Sequence, residues 1–475
     1  MPNISKRNNN LIKNTLIFTI GNFASKFLTF FLIPLYTSVL TTSEFGNVDL
    51  IFTIITVLAP IFTLNISESV MLFTLDSESN KKDILKIANY FLLLSLIPCI
   101  ISFIIFNYIP IFNNIEIFVA LYLYFLIGNQ IFLCALKGQK KVKLYTIGGV
   151  LNTFLLIIFN LIFLIIFKLG VKGYFLSQFL SNLIVFIFAF IFSGAFKVNI
   201  KSINKLLMKK MIKYSIVLIP TTFMWWIMNS SDRIMVTSMI SESANGIYAI
   251  SYKLPTLIST IIAIFNQAWL FSAIEEKNSD DKVEYTNKIF SLIFSLLFIL
   301  GVGLMLISKP FMKIYVSNDY YVAWKYMSFL IVGVVFQSLG TFISTSYNVN
   351  KDSKGFLFSA LLGALINIIL NFILIPIIGV YGAACATSMS YISVFAFRLF
   401  DTKKYIKIDI LKKKYIISFI ILLLSALVMY MNFIISEILL LLLFILMFII
   451  NKNEINDILK LILNKIYKGG KHGKK

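Results

Sequence analysis

Long apolar runs follow one another along the chain, broken only by short polar stretches. A membrane-spanning helix takes about 20 predominantly apolar residues. Runs of suitable length fall at 15–39, 48–74, 87–109, 115–136, 144–167, 171–196, 211–240, 244–273, 286–308, 322–349, 355–378, 380–400, 415–435 and 437–451. A transmembrane β-barrel would show short alternating segments instead. The pattern therefore predicts an all-α, polytopic integral membrane protein with about 14 transmembrane helices. The connections are too short for a sizeable soluble domain. The N-terminal run carries Lys26 and lacks a small-residue cleavage pattern, so it reads as the first span and not as a signal peptide.

Polar positions inside these runs repeat. Thr37-Ser38-Val39-Leu40 returns as Thr237-Ser238-Met239-Ile240, and Ser43 and Gly46 return as Ser243 and Gly246. Asn160 followed by Gly170-Val171-Lys172-Gly173-Tyr174 resembles Asn371 followed by Gly379-Val380-Tyr381-Gly382-Ala383. Spans 1–6 and 7–12 thus read as two parallel copies of a six-helix unit. The expected organisation is two pseudo-symmetric six-helix bundles, an N-terminal lobe over 1–200 and a C-terminal lobe over 201–405. Residues 406–475 add two further helices and a basic cytoplasmic tail.

Composition agrees with a membrane class: 59% of residues are apolar and only 13% charged. This excludes a soluble enzyme, a disordered chain and a nucleic-acid-binding domain. The net charge of +22 then reports loops beside anionic lipid. With the N-terminus inside, only Lys168, Lys172, Lys309, Lys313 and Lys325 fall in outer loops. Both termini are expected in the cytoplasm, in a multi-pass membrane protein. Cys99, Cys134 and Cys385 all lie in apolar runs, which argues against a disulfide framework, and the single histidine, His472, sits in the tail. No metal site, cofactor or catalytic motif is expected, and no Gly-rich phosphate loop is present. The chain reads as a non-enzyme.

Polar residues in lipid are costly and need a partner or a cavity. Asn22, Lys26 and Thr29 share one face of the first span, as do Thr222, Trp226, Asn229 and Arg233 of the seventh. Thr53, Thr56, Pro60, Thr63 and Ser67 line one face of the second, and Lys253, Thr256, Thr260 and Gln267 one of the eighth. These faces predict a central aqueous cavity lined by spans 1, 2, 7 and 8. Lys26, Arg233 and Lys253 are its expected cations, with Asn22, Asn229 and Trp226 as further substrate-binding positions. Glu68 and Asp232 are expected as counter-ions or ion-coupling groups. A cavity with three cations against two carboxylates suits an anionic substrate.

Three stretches resemble the polysaccharide flippase family of the superfamily that also holds multidrug extruders. The first has Ser25-Lys26, Pro34, Leu40 and Glu44-Phe45-Gly46. The second has Pro220, Asn229, Asp232-Arg233, Gly246-Ile247-Tyr248, Lys253 and Trp269; the third has Asn367, Asn371, Pro376, Gly379, Gly382-Ala383-Ala384 and Ala386-Thr387. The resemblance implies two bundles in a V, alternating access, and a substrate of undecaprenyl-pyrophosphate carrying a short oligosaccharide. This would move from the inner to the outer leaflet for surface polysaccharide such as O-antigen or capsule. Lys26 and Arg233, with Lys253, are the positions it carries over. Its implied partners are the lipid-linked substrate, membrane lipids and other membrane proteins of polysaccharide assembly, with no nucleic acid. The alternatives are a multidrug/cation antiporter of the same fold and a peptidoglycan lipid-precursor flippase.

Overall fold

A computed structural model describes residues 28–76, 80–457 and 460. Those residues form helices and short connections, with no strand among them. The chain divides into two units, one ending at Trp226 and the next starting at Ile227. The first holds α1 (Leu32–Val39), α2 (Thr42–Phe62), α3 (Ile66–Leu75), α4 (Lys81–Leu94), α5 (Leu96–Phe106), α6 (Glu116–Gly138), α7 (Val142–Asn160) and α8 (Gly170–Ser193). The junction falls within α9 (Lys205–Met239). The second holds α10 (Glu242–Ser251), α11 (Thr256–Glu275), α12 (Lys282–Tyr315), α13 (Trp324–Asn350), α14 (Ser353–Ile378), α15 (Val380–Asp401), α16 (Lys413–Val428) and α17 (Phe433–Ile450).

Twelve helical segments among the described residues are long and apolar enough to cross a membrane. Of the fourteen expected, the first lies largely outside the described residues. The thirteenth is α16, whose 16 residues fall short of a full span. Exposed apolar side chains lie in stripes at helical spacing, as for lipid-facing surfaces: Phe358, Leu365, Ile369 and Phe372 on α14, and Ile434, Ile438, Leu441, Ile445 and Ile449 on α17.

The sequence repeat is visible in matching local devices. Thr41 and Ser241 are both helix N-caps. The Thr41 hydroxyl accepts from the Glu44 N–H at 3.2 Å, and the Glu44 carboxylate accepts from the Thr41 N–H at 2.9 Å, forming a capping box. Ser241 accepts from the Ala244 N–H at 3.1 Å. Farther on, Gly170 and Gly379 adopt φ of +55° and +60°. A Cβ on Gly173 would stand 2.9 Å from the Phe163 carbonyl oxygen, and one on Gly382 would stand 2.4 Å from that of Leu374. Each pair of helices therefore crosses where only glycine fits.

The second and eighth spans, expected as continuous helices over 48–74 and 244–273, are each broken. In the first unit α2 contains Pro60 and ends in two left-handed residues, Leu64 (φ 51°) and Asn65 (φ 55°), before α3 begins. In the second a turn over 252–255, ending in Pro255, separates α10 from α11. Proline lacks the N–H that continues the helical ladder, and breaks of this kind persist at membrane depth only where other groups satisfy the backbone.

Candidate functional site

The second unit contains a buried polar network centred on Asp232, which is wholly inaccessible. Asp232 lies on α9, near where the close crossing at Gly382 brings α14 and α15 together. Its Oδ2 accepts from Tyr248 at 2.6 Å, Tyr252 at 2.9 Å and Thr387 at 3.1 Å. Its Oδ1 accepts from the Arg233 backbone N–H at 3.0 Å. Three hydroxyls and one amide N–H therefore replace the water that a buried carboxylate would lose.

The network continues through amides. Asn367 Nδ2 donates to Thr387 Oγ1 at 3.3 Å, and Asn367 Oδ1 accepts from Ser231 at 3.1 Å and Asn371 at 3.0 Å. One turn before Arg233, Asn229 Oδ1 accepts from Tyr391 at 2.7 Å and from Gln337 at 3.2 Å. Asn371 Oδ1 is buried and has no donor. Its repeat counterpart in the first unit, Asn160, donates to the Tyr36 hydroxyl at 3.1 Å and likewise leaves Oδ1 buried without a donor. An orphaned buried acceptor at matching positions of the two copies breaks the usual rule that such groups are paired.

The structure brings Asn229, Asp232 and Arg233 together at this network, within little more than one turn of α9, and Lys253 follows Tyr252 in the turn that breaks α10 from α11. The Arg233 guanidinium lies 5.4 Å from the centroid of the Tyr252 ring, a cation–π distance. Lys253 follows the end of α10, where terminal carbonyls favour a cation. Trp226 lies in the first unit, where its indole N–H donates to the Thr53 carbonyl at 3.1 Å. Glu68, on α3, lies close enough to Cys134 and Tyr145, on α6 and α7, for its charge to act on them. Asn22 and Lys26 lie outside the described residues.

The Tyr248, Asn367, Asn371, Thr387 and Tyr391 roles were not assigned from sequence. Mid-span amides at Asn367 and Asn371 were the available signal; the tyrosines gave none, because a tyrosine in an apolar run reads as core. Two cations near helix ends are buried. Arg398 is 1% exposed and donates to the Gly340 carbonyl at 2.9 Å and to Ser359 at 3.0 Å. Lys309, expected in an outer loop, donates to Ser436 at 2.8 Å and lies 4.6 Å from the Trp324 ring centroid.

Many membrane-embedded helices around an ionisable, hydrogen-bonded interior define a polytopic membrane transporter. The family model for polysaccharide biosynthesis protein matches residues 11–274, and the chain belongs to that family. Among solved structures it is similar in fold to a lipid II flippase MurJ in an inward closed conformation, at 20% identity and a TM-score of 0.73, covering 94% of this chain and 99% of that one. An inward-facing multidrug resistance MATE family transporter of the MOP superfamily follows the same fold at 16% identity and a TM-score of 0.59, over 82% and 94% of the two chains. So does a MOP superfamily transporter from Pyrococcus furiosus, at 14% identity and 0.53, over 83% and 95%. No curated protein matches the chain in sequence.

Proposed function

We propose that this chain is a flippase carrying undecaprenyl-pyrophosphate-linked oligosaccharide from the inner to the outer leaflet of the bacterial cytoplasmic membrane by alternating access. The observation that carries the reading is the placement of Arg233 and Lys253 beside a buried polar network and a broken helix, in a chain of the polysaccharide biosynthesis family. The headgroup of such a substrate is an anionic, strongly hydrated diphosphate. Cations in an otherwise apolar span replace part of that hydration through charge-assisted hydrogen bonds, and a broken helix adds unsatisfied backbone groups near the site. Lys26, Arg233 and Lys253 are the proposed phosphate-binding positions, with Asn22, Asn229 and Trp226 nearer the sugars. The proposed lobes are 1–200 and 201–405, with 406–475 appended.

Asp232 is the proposed coupling position. Its carboxylate, Thr387 Oγ1 and the orphaned Asn371 Oδ1 belong to one oxygen-rich network, and hard oxygen donors suit a proton or a small monovalent cation. A second reading, a peptidoglycan lipid-precursor flippase, is supported by the likeness to the lipid II flippase fold over 94% of the chain. The two readings share the polyprenyl diphosphate and differ in the sugar.

The test is flipping of a fluorescent undecaprenyl-diphosphate-linked saccharide in proteoliposomes. The parent protein should move it, while Arg233→Ala and Lys26→Gln should reduce the rate at least tenfold with the protein still folded. Asp232→Asn should abolish dependence on an imposed H⁺ or Na⁺ gradient. Parent-like flipping by both cation variants would overturn the diphosphate role.

A further inference from the structure

On the second unit an open groove of about 510 Å³ lies where α14 begins and α15 ends. Phe358, Leu361, Leu362 and Leu365 of α14 and Phe397 of α15 form its apolar wall. The α14 positions are three, four and seven residues apart, so they share one helical face. Phe358 and Leu365 are 58% and 50% exposed. At a rise of about 1.5 Å per residue, Lys354 to Leu365 covers about 16 Å. That is close to half of the roughly 30 Å hydrocarbon core of a bilayer, so the groove is as deep as one leaflet.

Its polar end carries both signs of charge: Asp352, Asp401, Lys354 and Lys404 all line it. Asp352, the N-cap of α14, accepts from the Gly355 N–H at 2.9 Å and from the Tyr405 hydroxyl at 2.9 Å. Asp401 is the last residue of α15. The two carboxylates converge on Gly355, where a Cβ would stand 2.7 Å from Asp352 Oδ2 and 3.0 Å from Asp401 Oδ2. Lys404 Nζ bridges them, at 3.1 Å and 3.0 Å. One ammonium against two carboxylates leaves a net negative charge. Lys354, two residues from Asp352, is exposed and has no ion-pair partner among the described residues. A separate cation thus stands beside a net anion at the mouth of an apolar groove.

We infer that this groove is a phospholipid site selective for a zwitterionic headgroup with a primary amine, of the phosphatidylethanolamine kind. The lipid phosphate meets Lys354. The lipid ammonium meets the Asp352–Asp401 pair as a second cation beside Lys404. One acyl chain lies along Phe358, Leu362 and Leu365. A purely anionic headgroup would bring its charge against the carboxylate pair. A choline headgroup has the same charges but no N–H to donate, so it forgoes the charge-assisted hydrogen bonds. A soluble zwitterion would leave the apolar wall uncovered. The same two helices carry Asn367 and Thr387 into the Asp232 network, so a lipid in the groove braces the pair that positions it. The site goes beyond the flippase reading and stands independently of it.

The full chain in detergent is titrated with phosphatidylethanolamine, phosphatidylcholine and phosphatidylglycerol of identical acyl chains. Bound lipid and oligomeric state are read by native mass spectrometry. The parent should retain phosphatidylethanolamine over either other lipid by about tenfold, the scale of one charge-assisted hydrogen bond. Lys354→Glu, at an exposed position, should weaken phosphatidylethanolamine and phosphatidylcholine together, because both lose the phosphate contact. Asp401→Asn should lower phosphatidylethanolamine to the level of phosphatidylcholine and leave the latter unchanged. Lys403→Glu, outside the groove, should alter neither. Stronger retention of phosphatidylglycerol by the parent, or binding unmoved by Lys354→Glu, overturns the proposal. So does a preference for phosphatidylethanolamine that survives Asp401→Asn, or a dimer that none of the lipids displaces, since a second copy then covers the groove.

Discussion

Arg398 opens a basic stretch of sequence, yet its side chain is buried among α13, α14 and α15. Through the Gly340 and Ser359 contacts it satisfies groups that water cannot reach. Replacing it by Ala strands these partners, at a cost of about 1–3 kcal/mol or more. Arg398→Ala should therefore lower the thermal unfolding midpoint in detergent, whereas the exposed neighbour Lys403→Ala should leave it nearly unchanged. Asp352, in the connection before α14, behaves differently. The Gly355 backbone N–H donates to its carboxylate at 2.9 Å, Lys404 and Tyr405 add further contacts, and its pKa falls to about 2. A depressed carboxylate contributes stability above its ordinary value near 3.8, and the contribution is lost as pH falls toward 2. Thermal unfolding of the parent and Asp352→Asn should thus differ by a steady amount above about pH 4, and the two curves should converge only as pH falls toward 2.

Among the elements, the two appended helices, α16 and α17, are largely apolar. Their outer stripes are lipid-like, but their attachment to α12 is polar. Asn451, just beyond α17, is fully buried; it accepts from Ser295 at 2.7 Å and donates to Ser418 at 3.2 Å. Lys414 pairs with Glu454, which also accepts from Ser291 at 3.0 Å. At the opposite end of α12 Lys309 reaches Ser436. In the stretch between α15 and α16, Lys404 pairs with Asp401 and Asp352, and Lys414 with Glu454. Asn451→Leu should loosen α16 and α17 without unfolding the rest. Hydrogen exchange should rise between 413 and 450 and stay constant in α13. The glycine crossing is a second element-scale constraint. Gly382→Ala places a Cβ against the Leu374 backbone, which cannot rotate away. It should cost about 1–3 kcal/mol by overpacking, read as a lower unfolding midpoint, while Gly194→Ala, where a Cβ meets open space, tests only backbone strain.

For the whole molecule, the asymmetry of basic loops predicts a topology that reporters can check. A fluorescent protein fused after Lys475 should fluoresce, and alkaline phosphatase inserted at Lys313 should be active; the reverse pattern would invert the orientation. The sequence alone determined the class, because a bilayer forces every spanning segment to be a long apolar helix that satisfies its own backbone. It also carried matching local devices, since Thr41 and Ser241 both cap helices and Gly173 and Gly382 both cross close to backbone, for reasons local to each position. It placed Asn229 and Arg233 on one face of their helix by spacing alone, and Lys253 on a helical face where the structure has a turn. What it could not supply was who meets whom. Tyr248, Thr387 and Asn371 join Asp232 only because α9, α10, α14 and α15 pack together, and periodicity within one helix says nothing about its neighbour. The same limit hid Arg398 and Lys309: a charge near a helix end looks solvated until tertiary packing supplies carbonyls, hydroxyls and rings in place of water.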